Sequence, residues 1–252
     1  MSEHIVISKE ERVTTLTITR PEKKNAITQA MYAAMADALT AYGKDDDARA
    51  FVFTGAGDMF TAGNDLQDFA TGDAGDENPP VARFLNAILD CPKPLIAAVN
   101  GPAIGVGLTM LLHCDLAFAG QSASFSAPFV KLGLVPEAGS SMLLPASVGM
   151  AVANDILLAG RQLSAEEAHR YGLVSRVFPD ADLAASVAEI ARGVSQSAPT
   201  ALKQSKALIR SQRDRVAEHM AAEGRLFVAQ LQSPDFAESV AAMMQKRQPV
   251  YA

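Results

Sequence analysis

The stretch from Pro94 to Ser141 constrains this chain more than any other. It opens with an apolar run, Pro94 to Val99, and closes it with Asn100-Gly101-Pro102. The run is too short to cross a membrane and is bounded by turn residues, so it reads as a buried strand. Gly105-Val106-Gly107 follows, and then Leu108, Met110, Leu111 and Leu112 form a dense apolar helix ending near His113-Cys114-Asp115. A glycine pair opening a helix leaves backbone N–H groups uncovered where the helix dipole favours negative charge. A strand, a turn and an open helix start in succession make a place to hold an anion.

Spacing excludes the dinucleotide reading, because G-x-G-x-x-G would need glycine where the chain has Met110, and no Gly-Lys-Ser/Thr phosphate loop follows. Two readings remain. The N–H groups can form a hole for a developing oxyanion on a thioester or ester enolate, or the glycines can serve close helix packing alone.

At 252 residues the chain suits one large domain, or one domain with a small appendage, and a hydrophobic share of 49% excludes disorder. Net charge is −6 with scattered Lys and Arg, which gives no basic field for nucleic acid. Cys91 and Cys114 are the two cysteines, without C-x-x-C or histidines at ligand spacing, so neither a disulfide framework nor a metal site is expected. The start, MSEHIVISKEER, is too polar for a signal peptide, and Pro249-Val250-Tyr251-Ala252 is no peroxisomal address. These features set an expectation of a cytoplasmic protein in a reducing compartment, with no membrane partner.

In chain order, Val13 to Thr19 alternates as a strand and stops at Arg20-Pro21. Thr28 is an expected N-cap for a helix to Tyr42, with Gly43 as its stop. Asp45-Asp46-Asp47 lacks the glycine and distal glutamate of a calcium loop and reads as a solvated turn. Ala50 to Thr54 is a short strand, and Gly55-Ala56-Gly57-Asp58 then leads to Thr61-Ala62-Gly63-Asn64-Asp65-Leu66, a second glycine-bearing junction able to supply a backbone donor. Phe69 to Pro80 reads as a lid or pocket-rim loop. Helical segments follow at Val81 to Leu89, Asn154 to Leu158 and Ala165 to His169, and Leu173 to Phe178 is strand-like. Leu183 to Val194 and Ala201 to Arg247 read as helices broken at Pro199 and Pro234. Short strands each followed by a turn and a helix, with helices last, argue for an α/β body and a helical C-terminal region.

Several motifs together carry a more specific likeness. Arg20-Pro21 with Asn25-Ala26, Thr61 to Leu66, Pro92-Lys93-Pro94, Asn100 to Ala103, Gly105-Val106-Gly107 and Cys114-Asp115-Leu116 resemble, in order, the crotonase superfamily of enoyl-CoA hydratases and isomerases. The resemblance implies a spiral of ββα repeats over 1–195 with a helical trimerisation region over 196–252, assembled as a homotrimer or dimer of trimers. It also implies an acyl-CoA thioester substrate held by the N–H groups of Asn64 and Val106, with no cofactor beyond the CoA of the substrate. CoA would lie near Lys23, Lys24 and Ala26, with Lys246 or Arg247 reaching from another subunit. Ala62, Asp65 and Leu66 would belong to the substrate site, with Thr109 beside the acyl chain and Phe129 making one side of the pocket apolar.

Hydratases of the superfamily use two glutamates, and the matching positions here resemble Thr109 and Phe129, neither of them a carboxylate. Leu132 to Ser141 and Ser126-Ala127-Pro128-Phe129 instead resemble the peroxisomal-type Δ3,Δ2-enoyl-CoA isomerases, in which the glutamate matching Glu137 is the base. The competing reading of Glu137 is an ordinary helix N-terminal acid. Asp65 is expected to shape its own loop. His113, Cys114 and Asp115 are too close in sequence to converge as a triad. His4, His169 and His219 are expected to be isolated and solvent-facing or capping, and Ser205 to Arg215 to be a solvated helix face. Three functional readings follow: an isomerase using Glu137, another crotonase chemistry such as hydration, and a non-catalytic acyl-CoA-binding homotrimer.

Overall fold

The computed structural model describes residues 2–65, 67–68 and 78–251. Leu66 and most of the expected rim loop lie outside the described residues; Pro80, at that loop's end, opens a helix. The main sheet is built from β1 (Ile5–Glu10), β2 (Val13–Ile18), β3 (Ala50–Gly55), β4 (Leu95–Val99), β6 (Leu116–Gly120) and β9 (Arg176–Phe178) in that spatial order. β1 pairs antiparallel with β2, and the rest run parallel. Central β4 is buried along its whole length, as expected of a continuous apolar run covered on both faces.

A second ladder carries the site. Its named strands are β5 (Ala103–Ile104), β7 (Ser124–Ser126) and β8 (Leu163–Ser164), and two parallel bridges extend it, Thr61 to Ala103 and Ile27 to Asn64. Both glycine-bearing junctions therefore leave the main sheet and pair again one layer on. This repeated sheet-to-ladder step, with helices outside, is the spiral α/β architecture.

Helix α1 (Gln29–Lys44) is capped by Thr28, whose hydroxyl accepts from the Met31 N–H. Its inward stripe, Met31, Tyr32, Met35, Leu39 and Tyr42, packs with Phe51, Phe53 and Phe84 of α2 (Pro80–Asp90). Full burial of each such side chain contributes about 2 kcal/mol. The helix passes Gly43 and ends one residue later, because the Asp45 carboxylate accepts the N–H groups of Asp47 and Ala48 and turns the chain. Strand β1 has no counterpart in the sequence reading: it is an edge strand, exposed along most of its length, and lacks alternation.

After β5 come α3 (Val106–Thr109), a 3₁₀ turn (Met110–His113), α4 (Ser140–Val148), α5 (Met150–Leu157) and α6 (Ala165–Arg170). Helix α7 (Asp180–Ser195) covers the other sheet face with Leu183, Val187 and Ala191 against Val52, Ile96 and Phe118. The chain ends in α8 (Pro199–Ile209), α9 (Arg213–Leu231) and α10 (Pro234–Met244). The run Ser205 to Arg215 is exposed as expected except at Lys206 and Arg210, which are half-buried. Lys206 donates to the Lys93 carbonyl and Asp115 at 2.7 Å each, and Arg210 donates to the Leu112 and Cys114 carbonyls, so these cations pin α8 to the body. No helix among the described residues is long and apolar enough to cross a membrane.

Candidate active site

The two junctions meet side by side. Thr61 N–H donates to the Pro102 carbonyl and Ile104 N–H to the Thr61 carbonyl, which sets Asn64 and Val106 at the ends of adjacent parallel segments. Gly63, at φ 88°, lies so close to the neighbouring segment that a Cβ there would stand 2.8 Å from the Ile104 carbonyl oxygen. A Cβ on Gly107 would stand 2.5 Å from the Thr61 methyl. Close approach is thus what Gly63 and Gly107 provide, whereas Gly105 has no atom near its Cβ position and is set apart by its φ of 58°. Among the described residues, neither the Asn64 nor the Val106 N–H donates to a protein acceptor.

Glu137 lies in the irregular turn before α4, 7% exposed. Thr109, fully buried in the last position of α3, donates its hydroxyl to Glu137 Oε1 at 2.5 Å, with the Val106 carbonyl 3.5 Å away as an alternative acceptor. One short helix therefore presents the Val106 N–H at its start and grips Glu137 at its end. Glu137 Oε2 accepts no hydrogen bond among the described residues. Burial pushes the Glu137 carboxyl up to about 7, against the pull of the Thr109 hydroxyl and with the added repulsion of Glu223. Such a carboxyl is matched to moving protons near neutral pH.

Tyr32 of α1 is the second link. Its hydroxyl donates to Asn64 Oδ1 at 2.5 Å, and burial followed by the nearby Glu137 charge hold its own pKa high, so it stays protonated. Tyr32 went unread in the sequence because it looks like one more apolar-stripe residue of an amphipathic helix.

The side chain that takes the N–H groups at the start of α4 is Glu223, not Glu137. Gly139 and Ser141 give their N–H groups to Glu223 of α9, at 2.5 and 2.9 Å. His219, expected to be isolated, has Nε2 2.8 Å from the Ser141 hydroxyl, and His169 Nδ1 lies 3.3 Å from the Val174 carbonyl. His113 is buried with Nε2 2.7 Å from the Ala138 carbonyl; burial depresses its pKa to about 4, so it is neutral and Nε2 donates. Asp115 points elsewhere, to the Leu95 N–H and Lys206, which agrees with the absence of a triad.

The remaining expected residues group in two places. Lys23 and Lys24 are exposed on a turn tied to the site by the bond from Ala62 N–H to the Lys24 carbonyl, and the Ala26 carbonyl accepts from Arg20. Asp65 is a brace: Oδ2 takes Arg20 at 2.7 Å and Oδ1 takes the N–H groups of Gln67 and Asp68. Burial pushes its carboxyl up, but Arg20 and these N–H groups outweigh that and hold it below the usual range. Phe129 is buried edge-on to Phe227 of α9, 6.4 Å between ring centres, and gives that flank an apolar wall. Lys246 is exposed beyond α10, and no hydrogen bond or ion pair joins it to the site among the described residues. A depression of about 380 Å³ near Thr40, Arg83 and Asp90 shares no residue with this cluster.

Two backbone N–H groups without a protein acceptor among the described residues, one of them on the short helix whose Thr109 holds a buried carboxylate, are the kinds of group that enolate stabilisation and proton transfer need. The model of a family described as enoyl-CoA hydratase/isomerase matches residues 8–252. This chain belongs to the enoyl-CoA hydratase/isomerase family. Among its relatives, 1,2-epoxyphenylacetyl-CoA isomerase of Escherichia coli (strain K12) is 38% identical, with 100% of this chain and 99% of that protein covered. Enoyl-CoA delta isomerase 2 of Rattus norvegicus is 40% identical over 83% of this chain, which spans 55% of that protein's length. A solved enoyl-CoA hydratase/isomerase from Pseudoalteromonas atlantica T6c is 53% identical, covers 99% of this chain and 100% of its own, and superposes with a TM-score of 0.96. The enoyl-CoA hydratase/isomerase fold, with acyl-CoA thioesters as its substrate class, is thus that of this chain.

Proposed function

We propose that this protein shifts the double bond of a 3-enoyl-CoA to give 2-trans-enoyl-CoA, with Glu137 as the single acid and base. The carrying observation is a buried carboxylate whose Oε2 accepts no hydrogen bond among the described residues, held by Thr109 of the helix that presents the Val106 N–H. Glu137 takes a proton from C2, and the C–H electron pair passes to the thioester oxygen. That enolate oxygen accepts from the Asn64 and Val106 N–H groups, each worth about 3 kcal/mol in the transition state. The Glu137 acid returns the proton to C4, leaving the double bond between C2 and C3 with no net redox change.

Glu223, the other carboxylate within charge reach of Glu137, is engaged with Gly139 and Ser141, so it is poorly placed to activate a water. The Phe129 wall also disfavours water, which weighs against hydration. The full-length likeness to 1,2-epoxyphenylacetyl-CoA isomerase supports a second reading, isomerisation of an epoxide-bearing acyl-CoA by the same base. CoA is assigned to the Lys23-Lys24 turn, with Ala26, Ala62 and Asp65 at the pocket edge and Lys246 from a neighbouring subunit. Exposed Leu208, Ile209, Leu226 and Met244 on the C-terminal helices fit burial in a homotrimer. A cytoplasmic role in fatty acid breakdown fits this chemistry.

Incubation of the protein with trans-3-hexenoyl-CoA, following absorbance of the conjugated product, tests the assignment. Conversion without 3-hydroxyacyl-CoA is expected. Silence on that substrate together with turnover of an epoxyacyl-CoA would replace the first reading with the second.

A further inference from the structure

Glu223 lies on α9, in the helical C-terminal region, yet it reaches the turn that carries Glu137. Its Oε2 accepts the Gly139 N–H at 2.5 Å, and its Oε1 accepts the Ser141 N–H at 2.9 Å and the Ser141 hydroxyl at 2.5 Å. The side chain is buried, and burying a carboxylate is costly unless donors satisfy it, as three do here. The turn it grips is strained: Ala138 has φ 59° and Gly139 φ 72°, and an alanine keeps a left-handed backbone only when its surroundings hold it there. From the other side His113 donates to the Ala138 carbonyl. Glu137 is therefore followed by a segment clamped at both faces.

We propose that Glu223 is a positioning residue for this site, fixing through the Gly139 to Ser141 turn both the aim of the Glu137 carboxylate and the negative field it feels. The proposal rests on Glu137 being the base. The groups that face Glu137 are the Thr109 hydroxyl from α3, protonated Tyr32 from α1 and Glu223 from α9; neutral His113 stands behind the turn. His219, with Nε2 3.5 Å from Glu223 Oε1, is placed to offset the Glu223 charge when protonated. Burial and Glu223 favour the protonated Glu137, while Thr109 opposes them. The C-terminal helices thus do more than pack: they set how strong a base the site holds.

The test compares full-length wild type, Glu223→Gln and Glu223→Asp, with Glu137→Gln as the reference. The Glu137 carboxyl is titrated by infrared difference against Glu137→Gln, a readout that needs no substrate. In folded Glu223→Gln the midpoint should fall by about one pH unit, because a like charge has been removed. Its kcat on 3-hexenoyl-CoA should drop about tenfold, as for a misaimed group, with KM changed by less than about twofold. Glu223→Asp keeps the charge and shortens the reach, so its midpoint should stay near wild type while kcat falls. A folded Glu223→Gln that loses only thermal stability, with midpoint and kcat unchanged, would make Glu223 a helix cap and overturn the proposal. If Glu223→Gln does not fold, a wild-type kcat in Glu223→Asp overturns it equally. A Glu137→Gln enzyme with full activity would sink the base reading itself. An inactive Glu137→Gln beside an unshifted Glu223→Gln sinks this proposal alone.

Discussion

The N–H groups of Asn64 and Val106 each follow a glycine of positive φ, Gly63 or Gly105, where main-chain bonds among Ile27, Gly63, Thr61 and Ile104 hold two segments side by side. Glu137 opens an irregular turn with two left-handed residues in succession, held by side chains from α3, α9 and the 3₁₀ turn. The first side depends on main-chain geometry and changes little with side-chain identity. The second depends on particular side chains, each replaceable. A scaffold so divided keeps one way of stabilising an enolate and changes its chemistry by changing what faces it.

Breaking the side-chain half at its centre should give the largest effect. Glu137→Gln keeps an acceptor for Thr109 but loses the basic oxygen, and kcat on 3-hexenoyl-CoA should fall roughly 10³-fold. Next comes the backbone half. Gly63→Ala puts a Cβ 2.8 Å from the Ile104 carbonyl at φ 88°, and should cost about 2 kcal/mol in urea unfolding and on the order of tenfold or more in kcat. Asn64→Ala retains its N–H and loses the Tyr32 contact, so a smaller loss than for Gly63→Ala would confirm that the main chain does the work there.

Thr109→Val should act more gently and in a defined direction. Removing the hydroxyl takes away the interaction that lowers the Glu137 pKa, so the acid limb of kcat/KM should move to higher pH, with a few-fold loss at neutrality. A limb that moves down would contradict the role given to this hydrogen bond.

The pH dependence of stability sharpens the comparison in another way, because it runs in opposite senses on the two partners of the turn. Glu137 has its carboxyl raised from 4.5 to about 7, so the fold loses stability as pH rises through that window, on the order of 3 kcal/mol in all. His113 is depressed from 6.5 to about 4, so its contribution is lost as pH falls through that window. Between about 4.5 and 6.5 the two oppose each other. Urea midpoints across pH should therefore show Glu137→Gln gaining stability at pH 8 and losing it on acidification. His113→Gln, which can still donate to Ala138, should show the reverse slope.

The parts of this site that sequence exposes are those with a local signature. Thr61 to Leu66 and Asn100 to Gly107 announce strand ends and open helix starts through their glycines, and Glu137 stands out as a charge among apolar neighbours. Tyr32, Glu223 and His219 carry no such mark. Their partners are 32, 82 to 84 and 78 residues away, and each looks locally like part of an ordinary helix. An isolated hydroxyl such as that of Thr109 does not reveal which acceptor the fold will bring to it, and the same holds for the cations Lys206 and Arg210. Strand β1 escaped because an exposed edge has no buried face to impose alternation.

The most direct test of the single-base account follows a label from C2. With 3-hexenoyl-CoA carrying deuterium at both C2 positions, single turnovers in ordinary water should deliver part of the label to C4 of the 2-enoyl product, because one carboxyl collects and returns the same proton. Product with a hydroxyl at C3, or with no label at C4 even in single turnovers, would show that water or a second group supplies the proton and would contradict the account.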